Sequence, residues 1–462
     1  MKILFIIYDN ESSRHVVPLG CGYIAAYLVK HGYDVDYFNQ DAYHYSEKEL
    51  YDYLKDNHYD VVGLGFIGGY SQHAKVLKIS EAINSLKERP KFVLGGHGPS
   101  PIPEYFMNLT KADAVVIGEG EVTFLEYIKA IEGGKDLSTV DGLVFRGADG
   151  RIIINKRRAV LKNIDLLPWP YLDKLPMEYY LNSKWPPARP MDRVMHIIFS
   201  RGCYYNCNFC YRMEEGIRYR NIDDIVAEIK FYKEKYRISY INFQDELLMG
   251  SKKVAMDFCG KMIAEDLQIR WTCNGRLNVA VPEVLLAMKK AGCVFINYGI
   301  ESFDNESLRL MDKKQTEEEI IKGIENTQAC GIKIGFNLIF GNIGDTKESL
   351  RKSVDFFIKY NDFAQLRTIR PVTPYPGSKL YEIAIERGLL TGPEDFYQKH
   401  KNSDMMTVNL TNMPDKEFYH ELLEANKIML NLYYRHQEGL LLKDFNALYS
   451  GDNYNFRGPR HE

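Results

Sequence analysis

Cys203, Cys207 and Cys210 fall within one segment, FSRGCYYNCNFCYR, at spacings of four and three. Three thiolates on one short loop can each bind one iron of a cubic iron–sulfur cluster, which leaves the fourth iron open for chemistry. A single structural zinc ion would need a fourth tetrahedral ligand. None stands near, His196 lying on the strand that precedes the loop. The other five cysteines, Cys21, Cys259, Cys273, Cys293 and Cys330, are dispersed in apolar or mixed segments and read as small core residues. Eight cysteines in 462 residues, so distributed, do not make a disulfide scaffold and fit a reducing compartment with a metal site.

Further groups able to hold a ligand stand at the ends of apolar runs. NFQDELL places Gln244, Asp245 and Glu246 after one run, TCNGRLN places Asn274 and Arg276 after the next, and NYGIESFDNESLRLMDK places Glu301 after a third. Carboxylates there suit an ammonium group, because a charge-assisted hydrogen bond is about twice as strong as a neutral one. The Arg276 guanidinium suits a carboxylate fork. Buried without a partner, Glu301 would be expensive, so a ligand is expected to answer it. Glycine gathers at other run ends, in GLGFIGG at 63–69, LGGHG at 94–98 and IGEGE at 117–121, where small residues let a large ligand approach the backbone. No acid–base triad stands out.

The elements that must position these residues alternate regularly. Over residues 1–135, strands are predicted at 2–8, 34–39, 60–67, 91–95 and 112–118, with amphipathic helices between them, the pattern of a doubly wound parallel sheet. Residues 136–192 contain a GADG turn, a basic hairpin-like stretch and prolines at 168, 170, 176, 186, 187 and 190, and read as a linker. Over 193–378, strands at 194–200, 240–245, 270–274, 295–301, 333–341 and 365–371 alternate with five helices, which predicts a partial parallel barrel with chemistry at the carboxyl ends of its strands. Residues 379–462 read as a helical, aromatic region that caps the barrel or lines a substrate site, with an irregular last fifteen residues.

Composition narrows the function. The formal net charge is −3 and basic residues are scattered, so a nucleic-acid substrate is not suggested. Apolar runs are short, as in ILFII, far below the ~20 residues that span a bilayer. The amino terminus lacks a cleavable signal pattern, and a cytoplasmic location is expected.

The cysteine segment resembles the loop of the radical S-adenosylmethionine (SAM) superfamily, and Phe209 supplies that family's aromatic before the third cysteine. The resemblance implies that the open iron binds SAM and that an electron from the cluster cleaves it to a 5′-deoxyadenosyl radical. It implies SAM contacts from Phe209, from the acidic site Gln244, Asp245 and Glu246, from Arg276, from Glu301 in the family's Gly-Ile-Glu-Ser segment, and from Asn337 on the adenine-contacting strand. That strand departs from the family where Ile343-Gly344 replaces a proline.

Residues 1–390 are similar to the branch that carries a cobalamin-binding domain before the barrel. The implied cobalamin contacts are Pro18, Gly20, Gly65, Gly69, Gly95, Gly96, Gly118, Glu119 and Gly120. His15 is out of frame for the Asp-x-His-x-x-Gly ligand motif, so cobalt without a protein histidine is expected.

The implied activity is methylation of an unactivated carbon of a small molecule, with reducing electrons from a carrier such as flavodoxin or ferredoxin. The alternatives are a radical cyclase, oxidase or rearrangement enzyme on the same scaffold, and a cobalamin- or redox-sensing module that needs no substrate cavity.

Overall fold

The structure, a computed structural model, describes residues 1–450 apart from Ser13, Lys184, Pro186, Pro187, Ala364, Ser403, Asp404 and Thr407. The expected prolines at 186 and 187 and most of the expected irregular tail therefore lie outside the described residues.

The first sheet contains β1 (Lys2–Ile7), β2 (Asp34–Asn39), β3 (Val61–Gly65), β4 (Lys91–Gly95), β5 (Ala114–Val116), β6 (Leu143–Arg146) and β7 (Ile152–Ile154). Their order is β2-β1-β3-β4-β5-β6-β7, with β1 to β5 parallel. Ile3 to Ile7 of β1 are all buried, as a strand covered by helices on both faces must be. The chain reverses direction across the sheet between β1 and β3, and ligands of open α/β sheets lie at the carboxyl ends beside such a switch point.

The expected boundary at residue 135 needs correction. The hairpin β6–β7 pairs antiparallel onto β5, so this sheet continues to Ile154. Without that hairpin β5 would be a bare edge, exposing backbone donors and acceptors to any other chain.

The second sheet has β8 (Val194–Ile197), β11 (Tyr240–Phe243), β12 (Arg270–Gly275), β13 (Cys293–Glu301), β14 (Lys333–Phe340) and β15 (Arg370–Pro371), all parallel, in the order β15-β14-β13-β12-β11-β8. Its outer strands β8 and β15 do not pair with each other, which makes it a partial barrel. The first and last strands depart furthest from the expected limits, the other four by one or two residues. The first run turns after Ile197, and Ser200–Cys203 forms β9 of an antiparallel ribbon with β10 (Gly216–Tyr219). The sixth strand keeps two residues. Trp271, Phe258, Phe243 and Phe199 fill the core behind the barrel.

The carboxyl-terminal region ties both halves together. Phe418 of the 35-residue helix Asp415–Tyr449 stacks on Phe340 at 5.4 Å, whereas Phe396 and Tyr397 of the helix Pro393–Lys399 enter the core of the first sheet. Among the described residues no helix is long and apolar enough to cross a membrane.

Candidate active site

The cysteine loop leaves β9 at Gly202, whose φ of +87° suits glycine and whose Cβ, if present, would collide with the Gly216 carbonyl oxygen. Asn208 then pins the loop to the barrel rim. Its backbone N donates to Met311 O at 2.9 Å, and its side chain exchanges two hydrogen bonds with the Asn342 amide, at 3.0 and 2.8 Å. Both amides are buried, so their pairing is worth more than it would be in water.

Cys207 and Cys210 line a cavity of about 560 Å³ together with Arg157, Arg212, Glu214 and Lys379. Cys210 is open to solvent through this cavity, yet the surrounding protein pushes its thiol up to about 12, assisted by Glu246 and by the Cys207 and Cys203 thiols. Burial likewise raises the Cys203 thiol, and Glu246 and Cys207 add to it. The three thiols stand on one stretch of eight residues, 203–210. Among the described residues no three His, Cys, Asp or Glu side chains converge as on a single ion. Three thiols on one short loop suit a cluster in which each thiolate meets its own iron, with protons released on loading.

The acidic groups expected around SAM divide sharply. Asp245 turns inward: it is 1% exposed and accepts from Phe199 N, from Ser200 N and, at 2.6 Å, from Ser200 Oγ. Burial pushes its carboxyl up to about 6 against those hydrogen bonds. Asp245 holds the β8–β9 turn, which corrects its assignment to SAM. Arg276 is corrected as well. Its guanidinium donates to Lys313 O and Lys314 O and lies 3.5 Å over the Tyr205 ring, clamping the cysteine loop to the β13 side.

Glu246 is exposed and makes no hydrogen bond or ion pair among the described residues, and Gln244 beside it is half-buried. Asn337 is half-buried on β14, opposite the core-facing Phe336 and Leu338 and in register with Gly299. Phe209 lies 5.8 Å beneath Lys313 Nζ.

Glu301 is not alone. At the end of β13, with φ +68°, it accepts from Lys313 Nζ at 2.9 Å, and both side chains are nearly buried. The partner that burial of Glu301 demands is within the chain: Lys313, twelve residues on in the same quoted segment, folds back over the strand end.

The glycines of the first sheet also divide. A Cβ on Gly96, where φ is +95°, would stand 2.6 Å from Phe66 O, so Gly96 is demanded by the chain's own packing. A Cβ on Gly118 would stand 2.5 Å from Glu214 Oε1, and one on Gly120 2.7 Å from Ile24. Gly69 lies against Gln72, whose Oε1 accepts from its backbone N. By contrast, a Cβ on Gly65 meets nothing nearer than 3.7 Å, one on Gly95 nothing nearer than 3.8 Å, and one on Gly20 nothing within 4 Å. Packing does not require glycine at these three positions, so at Gly65 and Gly95, which end β3 and β4, the bare backbone suits the close approach of a bulky ligand. Pro18 opens the helix Leu19–Lys30, and His15 packs on Tyr179 at 4.0 Å.

Glu119 serves a different purpose from the ligand contact expected of it. Arg218 grips it with two hydrogen bonds of 2.6 and 2.9 Å, and Arg201 approaches it while bonding Glu121 at 2.7 Å. Burial pushes the Glu119 carboxyl up, but Arg218 and Arg201 outweigh this and hold it below the usual carboxylate range. These pairs lock the β5 end to the β9–β10 ribbon and hence to the cysteine loop. Arg218→Met should therefore destabilise the chain, by less than the cost of a stranded buried charge, about 3–5 kcal/mol, because the pair is half-buried and Arg201 stays 3.4 Å from Glu119. A lower urea midpoint with an unchanged slope would report it. The contribution is whole at neutral pH and is lost as pH falls through the folded Glu119 value, since that value lies below the unfolded one. Sequence reading missed Lys313, Arg201, Arg218, Asn208 and Asn342. Arg201, Asn208 and Lys313 stand inside the quoted motifs, but nothing in sequence announces their partners.

The profile of the Radical SAM superfamily matches residues 197–357, and that of the B12 binding domain matches residues 8–128. An uncharacterized methyltransferase of Pyrococcus horikoshii is 32% identical over 402 residues, 84% of this chain and 84% of its own. The anaerobic magnesium-protoporphyrin IX monomethyl ester cyclase of Rubrivivax gelatinosus is 26% identical over 83% of this chain and 70% of its own. The fold matches the radical SAM methyltransferase TsrM from Kitasatospora setae, solved with cobalamin and a [4Fe–4S] cluster, at a TM-score of 0.69 and 18% identity, over 85% of this chain and 79% of that one. This chain belongs to the radical SAM superfamily, with a B12-binding domain ahead of the barrel, and its cofactors are a [4Fe–4S] cluster, SAM and cobalamin.

Proposed function

We propose that this enzyme transfers a methyl group to an unactivated carbon of a small molecule. The observation that carries the reading is the coupling of the two sheets: the β5 end, beside the Gly65 and Gly95 strand ends, is bound to the ribbon that carries the cysteine loop through Glu119, Glu121, Arg201 and Arg218. When bound, the cluster supplies the electron that cleaves SAM to a 5′-deoxyadenosyl radical, and cobalamin supplies a transferable methyl group.

The chain's own residues then have distinct tasks. Cys203, Cys207 and Cys210 hold the irons. Glu246 and Glu301 accept from the SAM ammonium or ribose, with Gln244 and Asn337 alongside and Phe209 near the adenine. Arg276 and Asn208 keep the loop in place, and Gly20, Gly65 and Gly95 admit the cobalamin. The name borne by the Pyrococcus horikoshii relative supports methyl transfer. The Rubrivivax gelatinosus relative, named as a cyclase, supports ring formation as the second reading. Reducing electrons come from an acidic carrier such as flavodoxin or ferredoxin, which suits Arg157, Arg212 and Lys379 around the cysteine cavity.

Methyl-labelled SAM decides between the readings. Methyl transfer delivers label to product and forms S-adenosylhomocysteine and 5′-deoxyadenosine together. Deoxyadenosine with an unlabelled, cyclised or oxidised product supports the second reading and overturns the first.

Glu301→Gln should weaken SAM binding roughly tenfold while iron content holds, since a hydrogen bond to a charged group contributes about 1.5–3 kcal/mol. Equilibrium binding of SAM to the reconstituted protein measures it. If Glu301 served only to neutralise Lys313, adding Lys313→Met to the Glu301→Gln protein would restore the affinity, and Glu301 would leave the SAM site.

A further inference from the structure

The second large cavity, about 440 Å³, opens at the amino-terminal ends of β12, β13 and β14, the opposite mouth of the barrel from the cysteine loop. Phe295 in its lining stands six residue steps before Glu301 along β13, about 20 Å at ~3.3 Å per step. Its charge is lopsided. Arg189, Arg270, Lys289, Lys333 and Arg367 line it against the single carboxylate of Asp362, in a chain where acids outnumber Lys and Arg by 62 to 59.

Two of the five cations have local partners: Arg270 pairs with Asp192 at 2.6 Å, and Lys289 donates to Gly331 O at 2.6 Å. Arg189 and Lys333 are exposed and make no ion pair among the described residues. Arg367 is half-buried, and its guanidinium donates to the neutral Gln365 Oε1 at 2.7 Å. Burial lowers its pKa, the nearby charges of Arg14 and Arg370 lower it further, and Asp362 opposes them. A guanidinium kept out of water, repelled by two others and bonded to an amide is costly, and an anion bound between it and Lys333 removes that cost. The volume lies within the range of small-molecule sites, and Val294, Phe295 and Ile334 give the cavity an apolar wall against which a flat ring can rest.

We propose that this cavity binds a phosphate-bearing anion of about the size of a nucleoside diphosphate, in a site separate from the reaction centre and independent of cofactor loading. Calorimetric titration of the full chain with pyrophosphate, UDP and uridine tests it, a uracil nucleotide being chosen to avoid the SAM adenine subsite. Pyrophosphate and UDP should bind, more weakly as salt rises, with UDP the tighter of the two and uridine silent. Arg367→Gln should weaken both at least tenfold. Lys333→Glu, a change at an exposed position that spares the fold, should weaken both severalfold. Absence of binding by the unaltered chain, or binding that survives both substitutions, overturns the site. UDP binding no tighter than pyrophosphate overturns the nucleotide assignment.

Discussion

Replacing Cys203, Cys207 or Cys210 with Ala should abolish both the cluster's absorption and the release of 5′-deoxyadenosine. Anaerobic reconstitution of the unaltered chain should give about four irons per chain by the cubic-cluster argument. Loss of an outer group that merely orients a metal ligand costs about 10–100-fold, so loss of a ligand itself should exceed that range. The controls are built into the fold. Cys259, Cys273 and Cys293 are at most 2% exposed in the core behind the barrel sheet, so their replacement by Ser should leave iron and SAM cleavage intact while lowering stability. Asn208→Ala falls between these extremes. The thiols remain, but the amide pair with Asn342 is lost, so iron should bind with a cluster that bleaches faster in air. Full iron in a Cys203→Ala protein, or loss of iron in Cys293→Ser, would mean that the ligands lie elsewhere.

Gly95→Leu should eliminate cobalamin retention and spare the cluster. A Cβ at Gly95 meets nothing nearer than 3.8 Å, so the fold accepts a side chain there, while the added atoms cover the backbone that the ligand is proposed to approach. A hundredfold loss of affinity, about 2.7 kcal/mol, is a modest expectation for filling a site that a large ligand must enter. Gly96 makes a poor test despite its neighbouring position, because any side chain there strikes Phe66 O and disturbs the domain itself. Gel filtration after incubation with hydroxocobalamin, followed by the visible spectrum, measures retention. The unaltered chain should hold cobalamin without a histidine ligand to cobalt, and His15→Ala should bind it equally well. Cobalamin retained by Gly95→Leu, with the cluster also present, would place the corrinoid away from the β4 end.

The sequence alone determined the order of elements and the place of the chemistry. Parallel strands buried on both faces give short apolar runs, and the intervening amphipathic helices give a second period, so both sheets and their carboxyl ends were legible. β2 and β4 have their expected limits, Asp34–Asn39 and Lys91–Gly95. The cysteine spacing was equally legible, because three ligands of one cluster lie on one loop and no distant partner is needed to see them.

The tertiary structure alone decided which polar residues remain available. Asp245, Arg276 and Glu119 had the right residue types at the right strand ends, yet each is taken by a partner 37 to 99 residues away: Ser200 at 45, Lys313 at 37 and Arg218 at 99. Glu301 is matched by Lys313 rather than left bare. Gly95 and Gly96, adjacent and identical in sequence, differ in backbone conformation and in what faces their missing Cβ atoms, Val116 at ordinary contact distance in one case and, at φ +95°, the Phe66 carbonyl in the other. Periodicity records which face of an element is buried, because burial repeats along the chain with the helix or strand. Pairing between side chains on different elements leaves no such repeat, since it depends on where the completed packing brings single atoms together.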